Sequence, residues 1–453
     1  MSRSARLAVL AAVLTAAAAT ATVTVTIGPG GSTARSERPA YLKIADFATW
    51  RSYGHSDGHS YLVKDIDTSG AAAKLTHVEY SFGGISRDGR CLESNEPGLA
   101  DAFGDYQRLF DAQESVDGVA DTADQPLAGN FHQIRELKDR HPDLKVVFSL
   151  GGWGGSRYFS DAARSAASRR AFTESCIDLF IKGDLPRLDG RPQGGPGAAQ
   201  GVFDGIDIDW EWPGADVPGN VVRQSDRRNL TLLLREFRRQ LDAYGEQAGR
   251  HYSLSVVLPP SREDIQAGFQ SPEIFRHVDY ATVTGFDLHG SWESRTNHAA
   301  QLFTPPGDPS DERLSVDRAV STWLHRGAPP CKLSVAVPAF GRGWRGVPAR
   351  NDGLYQRARG PAPGPVEEGA QDYRVLADLR GERFRDTEHG ALWLYFGASA
   401  GAQWWSYDDP AVIRRKATYV REHGLGGMTM WSLDGDDGRA SLVSAIDAGL
   451  RAP

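Results

Sequence analysis

Within residues 202–214, carboxylates recur at every second position: Asp207, Asp209 and Glu211. Ile206, Ile208 and Trp210 stand between and beside them, so acidic and apolar residues alternate with the period of a β-strand. The acids therefore share one face, and the isoleucines and tryptophan the other. The apolar face needs a packing partner, most simply a layer of helices, and the acidic face then lines a cavity. Acids at i, i+2 and i+4 repel one another and raise each other's proton affinity unless water, hydrogen bonds or a cation intervene. A solvated edge strand shows the same alternation, and a bare D-x-D-x-E is better read that way. A carboxylate metal site comes next, because hard cations take oxygen ligands. The flanks decide. Asp204 and Gly205 open the strand, and Trp210, Trp212 and Pro213 close around Glu211. Aromatic rings beside an acid at a strand's C-terminal end suit a carbohydrate cleft. Glu211, last in the row and nearest the mouth, reads as a general acid.

A row of this kind must be held by a scaffold, and the chain supplies one. Eight short β-rich runs lie at 42–47, 75–83, 144–153, 206–210, 252–259, 280–287, 332–338 and 426–431. Helical spacing fills several of the gaps, at 130–140 with Phe131, Ile134 and Leu137 on one side, at 163–181, and at 226–243. Eight strands alternating with helices predict an α/β fold of the (β/α)8 TIM-barrel class, with functional groups at the C-terminal strand ends. The run 86–125 is long for a connection and reads as an elaborated loop.

Composition sets the bounds. The chain has 453 residues, enough for one large domain with an insertion, and a net charge of −7 that speaks for neither nucleic acid nor an anionic membrane surface. The odd count of three cysteines, Cys91, Cys176 and Cys331, excludes a disulfide framework; at most one pair forms, and buried free thiols are the preferred expectation. Arg3 and Arg6 precede a short apolar core and then an Ala/Thr-rich run, the pattern of a secretory signal. We expect that signal over 1–27, a Gly/Ser/Arg-rich linker over 28–39, a secreted, monomeric product and no stable membrane association.

The stretch from Phe203 to Pro213 resembles the D-x-x-D-x-D-x-E signature of glycoside hydrolase family 18, the chitinases. Ser149-Leu150-Gly151-Gly152 is similar to that family's S-x-G-G motif. The resemblance covers residues 41–450 and implies a barrel over 40–344 and 401–453. A small α+β insertion, resembling the cleft wall of processive-type chitinases, would occupy 345–400. It implies chitin or chitooligosaccharides as the partner, and no cofactor or metal. In the chemistry it implies, Glu211 protonates the glycosidic oxygen and the substrate's own N-acetyl carbonyl attacks the anomeric carbon. Asp209 holds the N-acetyl N–H, Asp207 shares a proton with Asp209, and Asp204 anchors the strand start. Trp431 matches the tryptophan beneath the scissile sugar, Trp292 an aromatic platform for the leaving sugars, and Asp287 the acid of the M-x-Y-D motif. Trp153 and Trp212 are further substrate-facing candidates.

Four positions depart from the family pattern. Thr284 and Phe286 replace the Met and Tyr of M-x-Y-D, Asp46 stands at the usual Y-F position of strand one, and Phe340 replaces a Tyr before Gly341-Arg342-Gly343-Trp344. Phe286 removes the phenol that hydrogen-bonds the N-acetyl carbonyl in the family, which implies a slow enzyme. A lectin-like chitin-binding protein on the same barrel is the alternative from another class; such proteins usually lose the acid, whereas Glu211 is present. An endo-β-N-acetylglucosaminidase acting on glycans would use the same chemistry in a different cleft.

Overall fold

A computed structural model describes residues 40–452 except 55–57, 97, 99, 366 and 398–400; the expected signal and linker lie outside the described residues. Eight parallel strands close on themselves: β1 (Leu42–Ala48), β2 (His77–Ile85), β3 (Lys145–Gly151), β4 (Gly205–Asp209), β5 (Ser253–Leu258), β6 (Tyr280–Val283), β7 (Leu333–Pro338) and β8 (Gly427–Trp431). Each pairs with the next, and β8 returns to β1 in the register Leu42↔Gly427 to Ala45↔Met430. Helices fill most of the connections, so the expected (β/α)8 barrel is the observed one.

The apolar alternation is satisfied on the outside of the barrel wall. Ile206, Ile208 and Trp210 all lie in the main core. The indole of Trp210 stacks on Phe159, in the helix Phe159–Ala163, with centroids 5.3 Å apart. The helix Asp226–Ala248 shows how sequence makes such a layer. It buries Leu230, Leu233, Leu234, Phe237 and Leu241, a stripe at helical spacing. Gly249 ends it in the left-handed conformation, φ 67°, with its N–H on the carbonyl of Gly245. Each fully buried aliphatic or aromatic side chain of that stripe contributes about 1.5–3 kcal/mol by leaving water.

Three expectations change. Strand six stops at Val283 rather than 287, because the chain turns out of the barrel wall: a Cβ on Gly285 would sit 2.3 Å from the carbonyl oxygen of Ala336, and Asp287 adopts φ 52°. The insertion between β7 and β8 is built on an antiparallel sheet that begins at Phe340–Arg345 and ends at Gln403–Tyr407, wider at both ends than 345–400. Its own small core is Trp344, Val347, Trp393 and Trp404.

The third change concerns the cysteines. Cys91 and Cys176 form a disulfide and Cys331 is exposed, so these are not buried free thiols. The short strand Cys91–Leu92 folds back antiparallel on the end of β2, which brings Cys91 to the end of the helix Ala166–Cys176. That tertiary pairing has no local sequence signal. The bridge ties residues 85 apart in sequence, so reducing it frees a long loop in the unfolded chain. We expect one titratable thiol in the native protein and three after reduction. Cys91→Ser should lower the unfolding free energy by about 2–4 kcal/mol in a denaturant titration. Three reactive thiols without reductant would contradict the pairing.

Candidate active site

One layer of the barrel interior holds the acids by strand register. Ser149, Asp207, Ser255 and Tyr280 are successive register partners on β3, β4, β5 and β6. The hydroxyls of Ser149 and Ser255 donate to the two oxygens of Asp207 at 2.8 and 2.7 Å. The phenol of Tyr280 donates to Glu79 at 2.9 Å, and Glu79 on β2 is in register with Asp46 on β1. Ser81 in turn donates to Asp46 at 2.9 Å. β6, β7 and β8 add further hydroxyls: Thr429 bonds Ser334 at 2.8 Å and Thr282 at 3.2 Å.

Above this layer the row of acids rises to the mouth. Asp209 ends β4, buried, with its Oδ1 bonded to nothing. Glu211 lies two residues further, where the chain leaves the barrel, and a cis peptide joins it to Trp212. The backbone there is fastened from both sides. The N–H of Glu211 donates to the hydroxyl of Ser156 at 2.8 Å, and Asn220 donates to the Glu211 carbonyl at 2.8 Å. The glycine loop after β3 explains its own composition. Gly151, at φ 111°, approaches so closely that a Cβ would lie 2.3 Å from the Asp209 carbonyl oxygen. Asp204 faces a different partner set: it pairs with Lys138 at 2.8 Å and with Arg250, and accepts the Val146 N–H at 2.8 Å. That arrangement ties down the start of β4.

Electrostatics follow from burial without cations. Burial, then Asp287, pushes the Glu211 carboxyl up to about 8. Burial, then the charges of Glu211, Asp207, Asp46 and Glu79, holds the Asp209 carboxyl well above the usual carboxylate range. Asp207 is also raised by burial, but the two serine hydroxyls pull it back toward the anion. Burial pushes Asp46 up to about 8, and raises Glu79 strongly with help from Asp207 and Asp46. Such a site holds a protonated acid at neutral pH beside a carboxyl that can take up negative charge.

The aromatic candidates divide. Trp431, half-buried, stacks on Phe82 at 5.4 Å and meets Trp50 at 6.1 Å, giving the base of the site a three-ring floor. Trp153 and Trp292 stand 64% and 59% exposed. Trp212 is a correction: only 8% of it is exposed, and the indole packs in the main core, because the turn after Glu211 directs it inward. Asp287 is clamped by Arg342 through two bonds of 2.7 and 2.8 Å, and the guanidinium also lies over the rings of Trp292 and Phe340. Phe286 meets Phe340 edge to face at 5.6 Å, so these two departures from the family pattern are a single apolar contact. Glu79, Ser156, Asn220, Trp50 and Arg342 were not among the sequence candidates. Only Glu79 carried a signal, an acid inside an apolar strand run; the others reach the site through loops or the insertion. Among the described residues no cluster of three or more His, Cys, Asp or Glu could hold a metal ion.

A family model described as glycosyl hydrolases family 18 matches residues 45–436. Chitinase 63 of Streptomyces plicatus is 34% identical over 429 residues, covering 94% of this chain and 63% of that protein. Chitinase A1 of Niallia circulans is 30% identical over 444 residues, covering 91% and 58%. The chain thus spans about three fifths of the length of these curated relatives. Among solved structures, the catalytic domain of psychrophilic chitinase B from Arthrobacter TAD20 superposes with a TM-score of 0.86 at 42% identity, covering 91% of this chain and 96% of that one. A Group IV chitinase of Ostrinia furnacalis in complex with allosamidin gives a TM-score of 0.71 at 25% identity, covering 90% and 98%.

The raised acids give stability a pH dependence with a definite sign. Between about pH 4 and 8 the unfolded chain has lost the protons that folded Asp46 and Glu211 keep, so stability falls as pH rises through that window. Asp121, Asp386 and Asp409, held below the usual range by His132, His389 and Arg385 and by backbone N–H groups, lose their contribution on the acid side. Thermal unfolding should therefore give a higher Tm near pH 5 than near pH 8. His77 and His298, which burial holds neutral down to about pH 4, work against this trend on the acid side; a Tm that is flat or rises between pH 5 and 8 would mean that the interior acids do not outweigh them.

Proposed function

We propose that this chain, which belongs to glycosyl hydrolases family 18, is a chitinase that cleaves the β-1,4 linkages between N-acetylglucosamine units of chitin or chitooligosaccharides. The observation that carries the reading is Glu211, an acid kept protonated at the mouth of the barrel, directly above Asp209 with its unbonded Oδ1. In the proposed reaction Glu211 gives its proton to the glycosidic oxygen as the bond to the anomeric carbon breaks. The substrate's N-acetyl carbonyl attacks that carbon from the opposite face, and water later opens the resulting oxazolinium ring with retention. Asp209 accepts the N-acetyl N–H and carries negative charge as the ring becomes positive, while Asp207 takes up the shared proton. Holding the acetyl group in place makes the attack intramolecular, which removes much of the entropic barrier.

The floor of Trp50, Phe82 and Trp431 supports a sugar face, and Trp292 offers a second surface near Asp287 and Arg342. The edge-to-face contact of Phe286 with Phe340 supports the further reading that the acetyl carbonyl lacks a phenol donor and that turnover is slow. Export is part of the proposal, supported by the signal-like leader and by the Cys91–Cys176 disulfide, a bond that persists in oxidising compartments.

Glu211→Gln should lower kcat on chitin oligomers by about 10²- to 10⁴-fold, the usual worth of a general acid, while oligosaccharide binding stays measurable. Turnover near that of the unaltered protein would remove the mechanism. Phe286→Tyr adds only a hydroxyl and should raise kcat by up to about tenfold, with a smaller change in KM. A flat or lower kcat would show that this position does not face the acetyl carbonyl.

A further inference from the structure

We propose that Arg51 is a positioning residue: it ties the turn that carries Trp50 to the loop that follows Trp431, and so fixes the aromatic floor on which a sugar rests. Trp50 and Arg51 are neighbours in the turn Thr49–Tyr53 after β1, with Trp50 exposed and Arg51 buried. The Arg51 guanidinium pairs with Asp434 through Nε at 2.5 Å and with Asp372 through Nη2 at 2.7 Å. Asp434 lies in the short helix Leu433–Gly435, which follows Trp431 after a single residue. Asp372 ends the insertion strand Ala370–Asp372, in register with Phe340. One buried cation thus draws together the turn after β1, the loop after β8 and the insertion.

The other bonds of the turn run elsewhere. The Arg51 carbonyl accepts the N–H groups of Gly54 and Tyr61, the Ser52 carbonyl accepts Arg108 at 3.1 Å, and the Tyr53 phenol donates to Asp101 at 2.7 Å. These bonds hold the turn to its own side of the barrel mouth, and the guanidinium crosses to the side of Trp431. A fixed fork of donors serves two carboxylates at once, which the single point charge of a lysine does not. Asp372 has a second cation in Arg374 at 3.0 Å, whereas the Ser432 hydroxyl, 2.6 Å from Asp434, belongs to Asp434's own loop. Losing Arg51 therefore leaves Asp434 buried without its cation, and the loop must move to bring that charge to water. Trp50 lies 6.1 Å from both Trp431 and Phe82, and contacts of this kind weaken quickly as rings part. A sugar face resting on Trp50 makes the same contact before and during bond breaking, so its disturbance belongs in KM rather than kcat.

The inference rests on the chitinase reading of the floor, and its test separates the two. On an N-acetylglucosamine tetramer, Arg51→Lys should raise KM about fivefold or more and keep kcat within about threefold, and Asp434→Asn should do the same. Once Trp50 is alanine, adding R51K should change KM by less than about twofold, because the effect runs through that ring. An effect of full size in the Trp50→Ala background overturns the proposal, as does an unchanged KM in R51K. If R51K does not fold, the same cycle with D434N decides. A second measurement needs no turnover: fluorine NMR of the full chain labelled with fluorotryptophan, the Trp50 signal being the one lost in Trp50→Phe. That signal should shift in D434N, a change remote from Trp50 in sequence; an unmoved signal overturns the proposal. If the unaltered protein hydrolyses no oligomer, the chitinase reading falls, and the fluorine signal by itself decides whether the Arg51–Asp434 pair holds Trp50.

Discussion

The structure depends on burying several carboxyl groups along one barrel axis with hydroxyls as partners and no cation bonded to Asp46, Glu79, Asp207 or Asp209. Taking a carboxylate out of water costs several kcal/mol, so an interior of this kind is tolerable only if most of the acids keep their protons and every remaining charge is hydrogen-bonded. Ser149, Ser255, Tyr280 and Ser81 meet that demand from four different strands. Their placement is a matter of barrel register: shifting one strand by a single residue would turn its hydroxyl to the helices and leave an acid bare. The same burial raises the proton affinity of Glu211 and Asp209, which is what the proposed acid and its partner require.

Much of this was legible in the sequence, for reasons that can be named. The period-two alternation through β4 fixed both the element and its two faces, and the glycines after Ser149 marked a loop that has to pass against the end of β4. What could not be read is what the chain assembles at long range. Ser156 and Asn220 fasten the backbone of Glu211 from loops whose local sequence says nothing about acids. Cys91 meets Cys176 only because a two-residue strand folds back on β2. Trp212 shows the opposite error: proximity to Glu211 in sequence suggested a substrate-facing ring, but consecutive residues at a turn point in different directions, and the core took this one. Strand six was read too long because a run rich in β-formers does not by itself reveal where the chain leaves the wall.

The insertion is more than a wall beside the barrel. Its first strand, Phe340–Arg345, follows β7 after a single residue and brings Arg342 to Asp287, so the loop after β6 is held by a guanidinium from the other unit. Phe340, two residues earlier, meets Phe286. Position 286 and position 340 therefore answer to each other, and departures from the family pattern at both places are expected to change together. Asp287, which adds to the proton affinity of Glu211, is in this way tied to the insertion through Arg342.

The central claim is that the substrate's N-acetyl group, oriented by Asp209, is the nucleophile and Glu211 the acid. Stereochemistry tests it most directly. Proton NMR of the first products released from an N-acetylglucosamine oligomer, recorded before mutarotation, distinguishes the two anomers at the new reducing end. The account predicts the β-anomer, with net retention; initial release of the α-anomer would mean direct attack by water and would contradict it.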